Sequence, residues 1–157
     1  MSEPAKVGLG RLLILSTEFP PGPGGIGTHA YQLALHLSRR GWVIQVVTPQ
    51  AYVSENKRDR FNGEQPFSIV SLSERAGGLS AWRQRLGVIA GTIRDFRPDV
   101  VIASGRRALW AIAAVRMRFA VPWVAIVHGS ELDAQSASTQ FLTTQALARA
   151  FGRCCGQ

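Results

Sequence analysis

The chain has 157 residues and a mass of 17.1 kDa, which corresponds to one domain of ordinary size spanning 1–157. With 46% hydrophobic and 18% charged residues it can bury a sizeable core, which excludes an intrinsically disordered chain. The longest apolar runs, 108–115 and 119–127, are much shorter than the roughly 18 residues of a membrane-spanning helix. A secretory signal is not expected either, because the apolar stretch 12–15 runs straight into a Pro/Gly loop. These observations favour a soluble domain in the cytoplasm.

Basic residues outnumber acidic ones by 18 to 10, and the excess is concentrated in one segment. Between 75 and 118 there are nine arginines and two acids, so this segment alone carries a formal charge of +7 (9 − 2). A field of one sign attracts anions such as nucleic acids, anionic membranes or phosphorylated small molecules. The alternative is a basic face that is simply solvated.

The two cysteines, Cys154 and Cys155, are adjacent, and we expect reduced thiols rather than a disulfide or a metal site.

The first third of the chain predicts a strand, a loop, a helix and a second strand. The apolar run 11–17 is typical of a strand buried on both faces, at the centre of a sheet. Prolines and glycines at 20–27 predict a loop, and Thr28 is the expected N-cap of a helix that ends near 39–41. The run 42–48 then completes a strand–helix–strand unit, whose two strands must be parallel.

The rest of the chain repeats this alternation. Residues 51–66 show no clear period and are expected to form a loop. The apolar patterns that follow predict strands at 67–72, 100–103 and 123–127 and helices at 79–96, 108–119 and 140–151. The fold class is therefore α/β: an open, doubly wound, mainly parallel Rossmann-like sheet with helices on both faces. Ligands of such sheets bind at the carboxyl ends of the strands, so the loops after 17, 48, 103 and 127 are the candidates.

The glycine loop matches the dinucleotide-binding spacing G-x-G-x-x-G, with Gly22, Gly24 and Gly27 between a strand and a helix. Pro23 removes one amide from this loop, however, and no acid follows the second strand to hold a ribose. A nucleotide-dependent oxidoreductase domain is therefore an alternative rather than the preferred interpretation. A purely structural role, in which the glycines only allow the chain to turn, is a further alternative.

Whatever its ligand, the loop offers backbone N–H groups at the start of a helix, where the partial charge is positive. Such a site suits a phosphate or a sugar hydroxyl. The residues that form it are Gly24, Gly25, Ile26 and Gly27.

A second polar loop, His128-Gly129-Ser130-Glu131, follows the strand predicted at 123–127. It places an imidazole at the carboxyl edge of the sheet, where a His side chain can donate or accept a hydrogen bond. Glu131 could orient this imidazole, bind a sugar hydroxyl or cap the next helix. A purely structural His128 is the alternative. We expect Gly25 and His128 to converge at one edge of the sheet.

Across most of its length the chain resembles the N-terminal domain of retaining glycosyltransferases of the GT-B fold, the family 4-like group that includes bacterial mannosyl- and glucosyltransferases. The resemblance is carried, in the family's order, by Glu18-Phe19-Pro20-Pro21, Gly24-Gly25-Ile26-Gly27-Thr28-His29, Leu33-Ala34 to Arg40-Gly41, Val46-Val47-Thr48-Pro49, Arg97-Pro98-Asp99-Val100-Val101 and His128-Gly129-Ser130-Glu131.

In that family the N-terminal domain mainly holds the acceptor, and a C-terminal Rossmann-like domain binds the nucleotide sugar in the cleft between the two. The resemblance implies that Gly24 and Gly25 approach the donor's diphosphate, that His128 contacts the transferred sugar and that Glu131 is the acid of the same motif. The chain is expected to stop before the interdomain linker and the C-terminal domain, and alone to be inactive. Neither a cofactor nor a metal is implied beyond a UDP- or GDP-linked sugar as co-substrate.

The resemblance also suggests a role for the basic segment, because several members of this family reach lipid-linked acceptors through a basic amphipathic surface. The candidate contacts with an anionic membrane surface, here the inner face of the cytoplasmic membrane, are Trp82, Arg83, Arg85 and Arg94. A core-facing stripe with a solvated far face is the simpler interpretation. A nucleic-acid-binding module is the remaining alternative, although no nucleic-acid motif accompanies the arginines. The acceptor would be a glycan or a lipid-linked molecule, in polysaccharide or glycolipid biosynthesis.

Overall fold

In a computed structural model of the chain, residues 8–72 and 78–128 are described. The predicted helix 140–151, together with Glu131, Arg75 and both cysteines, lies outside these residues. The described strands are β1 (Gly10–Ser16), β2 (Trp42–Pro49), β3 (Ser68–Leu72), β4 (Val100–Ser104) and β5 (Trp123–Ile126). The described helices are α1 (Gly25–Arg39), α2 (Glu55–Gly63), α3 (Gly78–Phe96) and α4 (Arg106–Val115).

The five strands form one sheet in the order β3-β2-β1-β4-β5, and every neighbouring pair is parallel. The predicted α/β class and the central position of β1 are thereby confirmed. Strand order runs outward from β1 in one direction through β2 and β3, and in the other through β4 and β5. The reversal between β1 and β4 is the topological switch point, outside which open α/β sheets bind their ligands.

Both faces of the sheet are covered, because successive side chains of a buried strand point to opposite faces. On β1, Leu12 and Ile14 join the cluster under α1, while Leu13 and Leu15 join the cluster under α3 and α4. Ala30 and Ala34 of α1 are fully buried against the first cluster. The helices contribute large buried side chains to the second cluster, among them Ile89 of α3 and Leu109 and Ile112 of α4.

The sequence did not predict α2, since 51–66 was expected to be a loop. The helix is strongly polar, and no residue of it is buried. Phe61 alone among its described side chains packs against a core cluster, so the helix carries no apolar stripe that a 3.6-residue period could reveal. Its position depends on tertiary contacts, described below, rather than on its own hydrophobicity.

Two helix ends also differ from the prediction. Helix α1 begins three residues before the expected cap, with Gly24 as its N-cap, and the Thr28 hydroxyl donates to the Gly24 carbonyl from inside the first turn. Helix α4 ends at Val115 rather than at 119. The next turn exposes Met117 and returns Phe119 to the core, so apolar residues continue beyond the helix.

Among the described residues, no helix combines the length and the apolarity that crossing a membrane requires.

The amino edge of the sheet is fixed by a short network of hydrogen bonds. The Asp99 carboxylate accepts from the Arg11 backbone N–H at 2.7 Å, and the Arg11 guanidinium donates to the Phe96 carbonyl at 2.9 Å. The segment Arg97-Pro98-Asp99, which contributed to the resemblance, therefore has a structural role at the edge opposite the candidate site.

Candidate functional site

The carboxyl edge of the sheet brings together the loops that follow β1 and β4. The Thr17 backbone N–H donates to the Ser104 carbonyl at 3.2 Å, which ties the two loops at the switch point. Gly105 has a φ of +86°, and a side chain there would overlap Thr17. Only glycine therefore allows the chain to turn from β4 into α4 this close to β1. Beyond this contact, the two loops diverge to helices on opposite faces of the sheet.

The four candidate residues of the glycine loop have different surroundings. Gly24 has a φ of +134°, and a side chain on it would overlap the Glu18 carboxylate. At Gly27 an added Cβ would lie 2.9 Å from the Phe19 nitrogen, so this glycine lets α1 pack against the backbone that leaves β1. Gly25 has no such neighbour within 4 Å and is exposed. Open space for a ligand therefore exists at Gly25, whereas the local packing and backbone conformation favour glycine at 24 and 27. That these glycines approach a donor stays a prediction.

The Glu18 carboxylate limits how a ligand can reach this helix start. It lies on the Gly24 side, where it can accept hydrogen bonds from sugar hydroxyls but repels an anion. An anion would therefore reach the amides from the Gly25 side. Helix α1 has no acidic residue in its first turn, so the positive end of its dipole is not neutralised from within the helix.

His128 lies two residues after the end of β5 and is half-buried. Its Nε2 atom is 2.9 Å from the Oγ atom of Ser104, the last residue of β4, which is fully buried. The ring also packs edge-on against His29, with 5.6 Å between the ring centroids. Because His29 is the fifth residue of α1, this contact places His128 beside the first turns of the helix that begins at Gly25.

His128 and the first turns of α1 thus lie at the same corner of the carboxyl edge. That they bind a ligand together stays a prediction. Glu131, the remaining member of the candidate site, lies outside the described residues. Three side chains that shape this corner were not singled out from the sequence as site residues: Ser104, His29 and Glu18. Ser104 could have been found as the polar residue that ends an apolar strand, because such a position lies at the ligand-binding edge of a parallel sheet.

The end of β2 shows why the dinucleotide interpretation is weak. Gln50 occupies the region where a ribose-binding acid would be expected, and it is 1% exposed. Its amide nitrogen donates to the Pro20 carbonyl at 2.7 Å and to Asn62 Oδ1 at 2.9 Å, while its oxygen accepts from Asn62 Nδ2 at 3.0 Å. The side chain thus ties α2 to the loop after β1 and is committed within the chain, so it does not reach a ribose.

The four candidate membrane contacts do not share one surface. Arg83 and Arg94 are exposed, and Arg94 forms an ion pair with Asp95. Trp82 is half-buried against the core cluster under α3 and α4, and Arg85 lines a recess beside it. Membrane contact through these residues stays a prediction. Among the described residues, no group of three His, Cys, Asp or Glu side chains is placed to hold a metal ion.

The all-parallel sheet, with helices on both faces and a helix that begins at a glycine after β1, defines a Rossmann-like α/β domain. The sequence model of the glycosyl transferase 4-like domain matches residues 24–155, which is most of the chain. The chain belongs to this family, and the resemblance seen in the sequence is confirmed. None of the curated proteins is significantly similar to it in sequence.

Solved structures show the same fold at low sequence identity. Sucrose-phosphate synthase from Thermosynechococcus elongatus is similar with a TM-score of 0.64 and 14% identity, over 88% of this chain and 40% of that protein. A glycosyltransferase from Rickettsia africae has a TM-score of 0.55 and 13% identity, over 80% and 33%. UDP-GlcNAc 2-epimerase from Methanocaldococcus jannaschii has a TM-score of 0.51 and 16% identity, over 87% and 37%. The chain thus spans about two fifths or less of each of these proteins.

Proposed function

We propose that this chain is the N-terminal, acceptor-side half of a retaining glycosyltransferase. It would act on a UDP- or GDP-linked hexose and on a glycan or a lipid-linked acceptor. The observation that carries the proposal is the position of His128, held by Ser104 beside the helix whose start is open at Gly25. The family match supports a glycosyltransferase rather than an oxidoreductase, and the commitment of Gln50 to Asn62 agrees with that choice.

In this proposal the start of α1 and the His128 imidazole contact different parts of the donor. The open amides around Gly25 face the diphosphate, where the helix dipole favours negative charge. His128 contacts the transferred sugar, and Ser104 fixes the orientation of its ring. Glu131 is proposed to contribute a carboxylate to the same sugar. Placing these groups on strand ends and one helix start keeps them in fixed positions before the donor arrives.

Sugar transfer with retention passes through a centre of oxocarbenium character and releases a diphosphate. Stabilising the charge on that leaving group is expected to be the largest energetic contribution, and it requires cationic donors aimed at the diphosphate. We assign those donors to a C-terminal Rossmann-like domain. This chain alone is therefore proposed to bind a nucleotide sugar weakly and not to turn it over. No metal or organic cofactor is part of the proposal.

The test compares the chain with a longer protein. The DNA that follows codon 157 is read for an in-frame Rossmann-like domain, and both proteins are assayed for transfer from UDP- and GDP-hexoses. We expect transfer by the joined protein and none by the chain alone, and the anomeric proton couplings of the product are expected to show retention. Turnover by the isolated chain would contradict the proposed division of labour, and an inverted product would contradict the retaining mechanism.

The proposed location is the cytoplasm, with a peripheral association at the inner face of the cytoplasmic membrane. This association is tested by co-sedimentation of the chain with vesicles that contain or lack anionic lipid, at two salt concentrations. Because screening weakens interactions between exposed charges, we expect binding that needs anionic lipid and declines with salt. Absence of such binding would remove the membrane from the proposal and leave the glycosyltransferase assignment unaffected.

A further inference from the structure

The imidazole of His29 lies at the open corner of the carboxyl edge, and the proposed function leaves it without a role. His29 is the fifth residue of α1 and is exposed. It follows Gly25 by four positions, and residues four apart lie on the same face of a helix. The open helix start at Gly25 and the His29 side chain therefore share one face of α1, and His128 lies beside that face.

The backbone that carries His29 is packed closely against the sheet. Two residues before it is Gly27, where an added Cβ would lie 2.9 Å from the Phe19 nitrogen. One residue after it, Ala30 is fully buried. Close-packed groups of this kind cannot shift without creating a clash or a cavity, so the backbone at His29 is fixed relative to the sheet. A side chain that contacts His29 is thus positioned relative to the start of α1.

His128 is contacted from two directions. From the sheet, the Oγ atom of the buried Ser104 lies 2.9 Å from its Nε2 atom. From α1, the ring of His29 meets its ring at an interplanar angle of 78°, with 5.6 Å between the centroids. Aromatic rings favour such edge-to-face contacts over flat stacking. One strand end and one helix therefore both contribute to the placement of this imidazole.

The two contacts constrain different motions of the His128 ring. A hydrogen bond at one nitrogen sets the position of that atom. The torsion of an imidazole about its Cβ–Cγ bond has broad minima, however, so the plane of the ring can still tilt. A second ring packed at nearly a right angle limits this tilt. Because His29 is fixed on α1, the limit is set relative to the open helix start.

We infer that His29 is a positioning residue for His128, which holds the plane of that imidazole in one orientation beside the start of α1. The consequence for sugar transfer rests on the proposed function, in which His128 contacts the transferred sugar. A group that acts at a reacting centre loses much of its effect when it is misplaced by about 1 Å. His29 therefore acts on the transfer step through His128.

The orientation is tested in the chain itself, which contains three histidines, His29, His36 and His128. Long-range ¹H–¹⁵N spectra in alkaline buffer, where imidazoles are neutral, report the tautomer of each ring, and single alanine variants assign the signals. In His29→Ala, the two nitrogen shifts of His128 should move toward those of a freely exchanging imidazole, because a tilting ring bonds Ser104 less well. The NOEs between the His128 ring protons and the Ser104 side chain should weaken.

Two further variants are the controls. His29→Phe keeps an aromatic ring at the same position and should preserve the tautomer of His128 and its NOEs to Ser104. His36→Ala removes an exposed histidine of the same helix and should leave both unchanged. Because His29 is also exposed, the variants are expected to stay folded, and thermal unfolding curves check this. Unchanged His128 signals in a folded His29→Ala variant would overturn the inference, and so would equal changes in His29→Ala and His36→Ala.

The effect on the rate is measured in the protein joined to its C-terminal domain. His29→Ala should lower kcat by about tenfold and change KM for the donor by less than about twofold, because misplacing His128 weakens contacts in the transition state more than ground-state binding. His29→Phe should recover most of the lost rate, and His36→Ala should keep the full rate. Equal losses in His29→Phe and His29→Ala would contradict a role that acts through ring packing.

The spectra and the rates separate this inference from the proposed function. If the His128 signals depend on His29 but the joined protein does not transfer sugar, the positioning role is kept and its connection to transfer is removed. If transfer requires His128 while neither the signals nor the rate depend on His29, the proposed function is kept and this inference is overturned.

Discussion

At the amino edge of the sheet, Asp99 accepts the Arg11 N–H, Arg11 binds the Phe96 carbonyl, and the polar groups are used within the chain. At the carboxyl edge, Gly25 has open space around it and His128 is half-buried with a buried serine behind it. Both edges end the same five strands. The contrast indicates that hydrogen bonding at the amino edge stabilises the fold, whereas the carboxyl edge leaves the start of α1 open at Gly25.

The largest expected effect tests the carboxyl edge. In the protein joined to its C-terminal domain, His128→Ala should lower sugar transfer by about 100-fold, the scale of losing one preorganised contact to the reacting centre. Steady-state rates with the cognate donor measure this. Because His128→Ala also removes the hydrogen bond to the buried Ser104, we expect the thermal midpoint to fall by about 2–4 °C while the variant stays folded. Unchanged rates in a folded variant would assign His128 to the structure alone.

The next effect separates two glycines of one loop. Gly27→Ala should destabilise the chain by about 2 kcal/mol or more, because the added carbon meets the Phe19 and Glu18 backbone at 2.9 to 3.1 Å. Gly25→Ala is the matched control and should leave stability unchanged or slightly raised, since alanine favours a helix. Urea unfolding gives both values. Equal destabilisation would mean that Gly25 is also a packing position and that the loop has no open approach.

Gly25→Ala should nevertheless weaken binding of the donor by the joined protein, because the methyl group occupies the space through which a diphosphate approaches. A stable Gly25→Ala variant with undiminished donor affinity would move the diphosphate away from this helix start.

A smaller effect is expected for the positioning residue behind the imidazole. Ser104→Ala should reduce sugar transfer by about tenfold and stability by about 1 kcal/mol, since one hydrogen bond to His128 is lost. The imidazole nitrogen resonances of His128 in the isolated chain give a second readout, because loss of the Ser104 partner should alter its tautomer balance. A variant that loses stability but keeps those resonances would show Ser104 to be structural only.

The smallest effect belongs to the amino edge. Asp99→Ala removes the acceptor of the Arg11 N–H, and because Asp99 is exposed we expect a loss of about 1 kcal/mol in the free energy of unfolding. Ligand binding at the opposite edge should not change. A Asp99→Ala variant that weakens donor binding as strongly as Gly25→Ala would erase the distinction between the two edges.

The sequence predicted the parallel sheet well because its strands are continuous apolar runs and the breaks between them hold prolines and glycines. It did not predict α2, which is held by Phe61 and by the Gln50–Asn62 pair rather than by a stripe of its own. It also placed the N-cap of α1 at Thr28 instead of Gly24, because a glycine cap gives no side-chain signal.

The sequence predicted part of the candidate site, because the order of strands and loops was already clear from it. His128 and the glycine loop each follow an apolar strand, and a parallel sheet brings such positions to one edge. The distinction among Gly24, Gly25 and Gly27 depends on neighbours distant in sequence or on backbone geometry, which a spacing cannot show. The contact of His29 with His128 joins residues 99 positions apart (128 − 29) and is visible only in three dimensions.

The central claim is that the start of α1 and His128 form one wall of a ligand site at the carboxyl edge. It is tested most directly by mapping amide chemical shifts of the ¹⁵N-labelled chain during titration with UDP and GDP, which detects even weak binding. The account predicts that one of the nucleotides shifts Gly25, Ile26 and His128 together while Arg11 and Asp99 stay unchanged. Shifts at the amino edge, or at neither Gly25 nor His128, would contradict it.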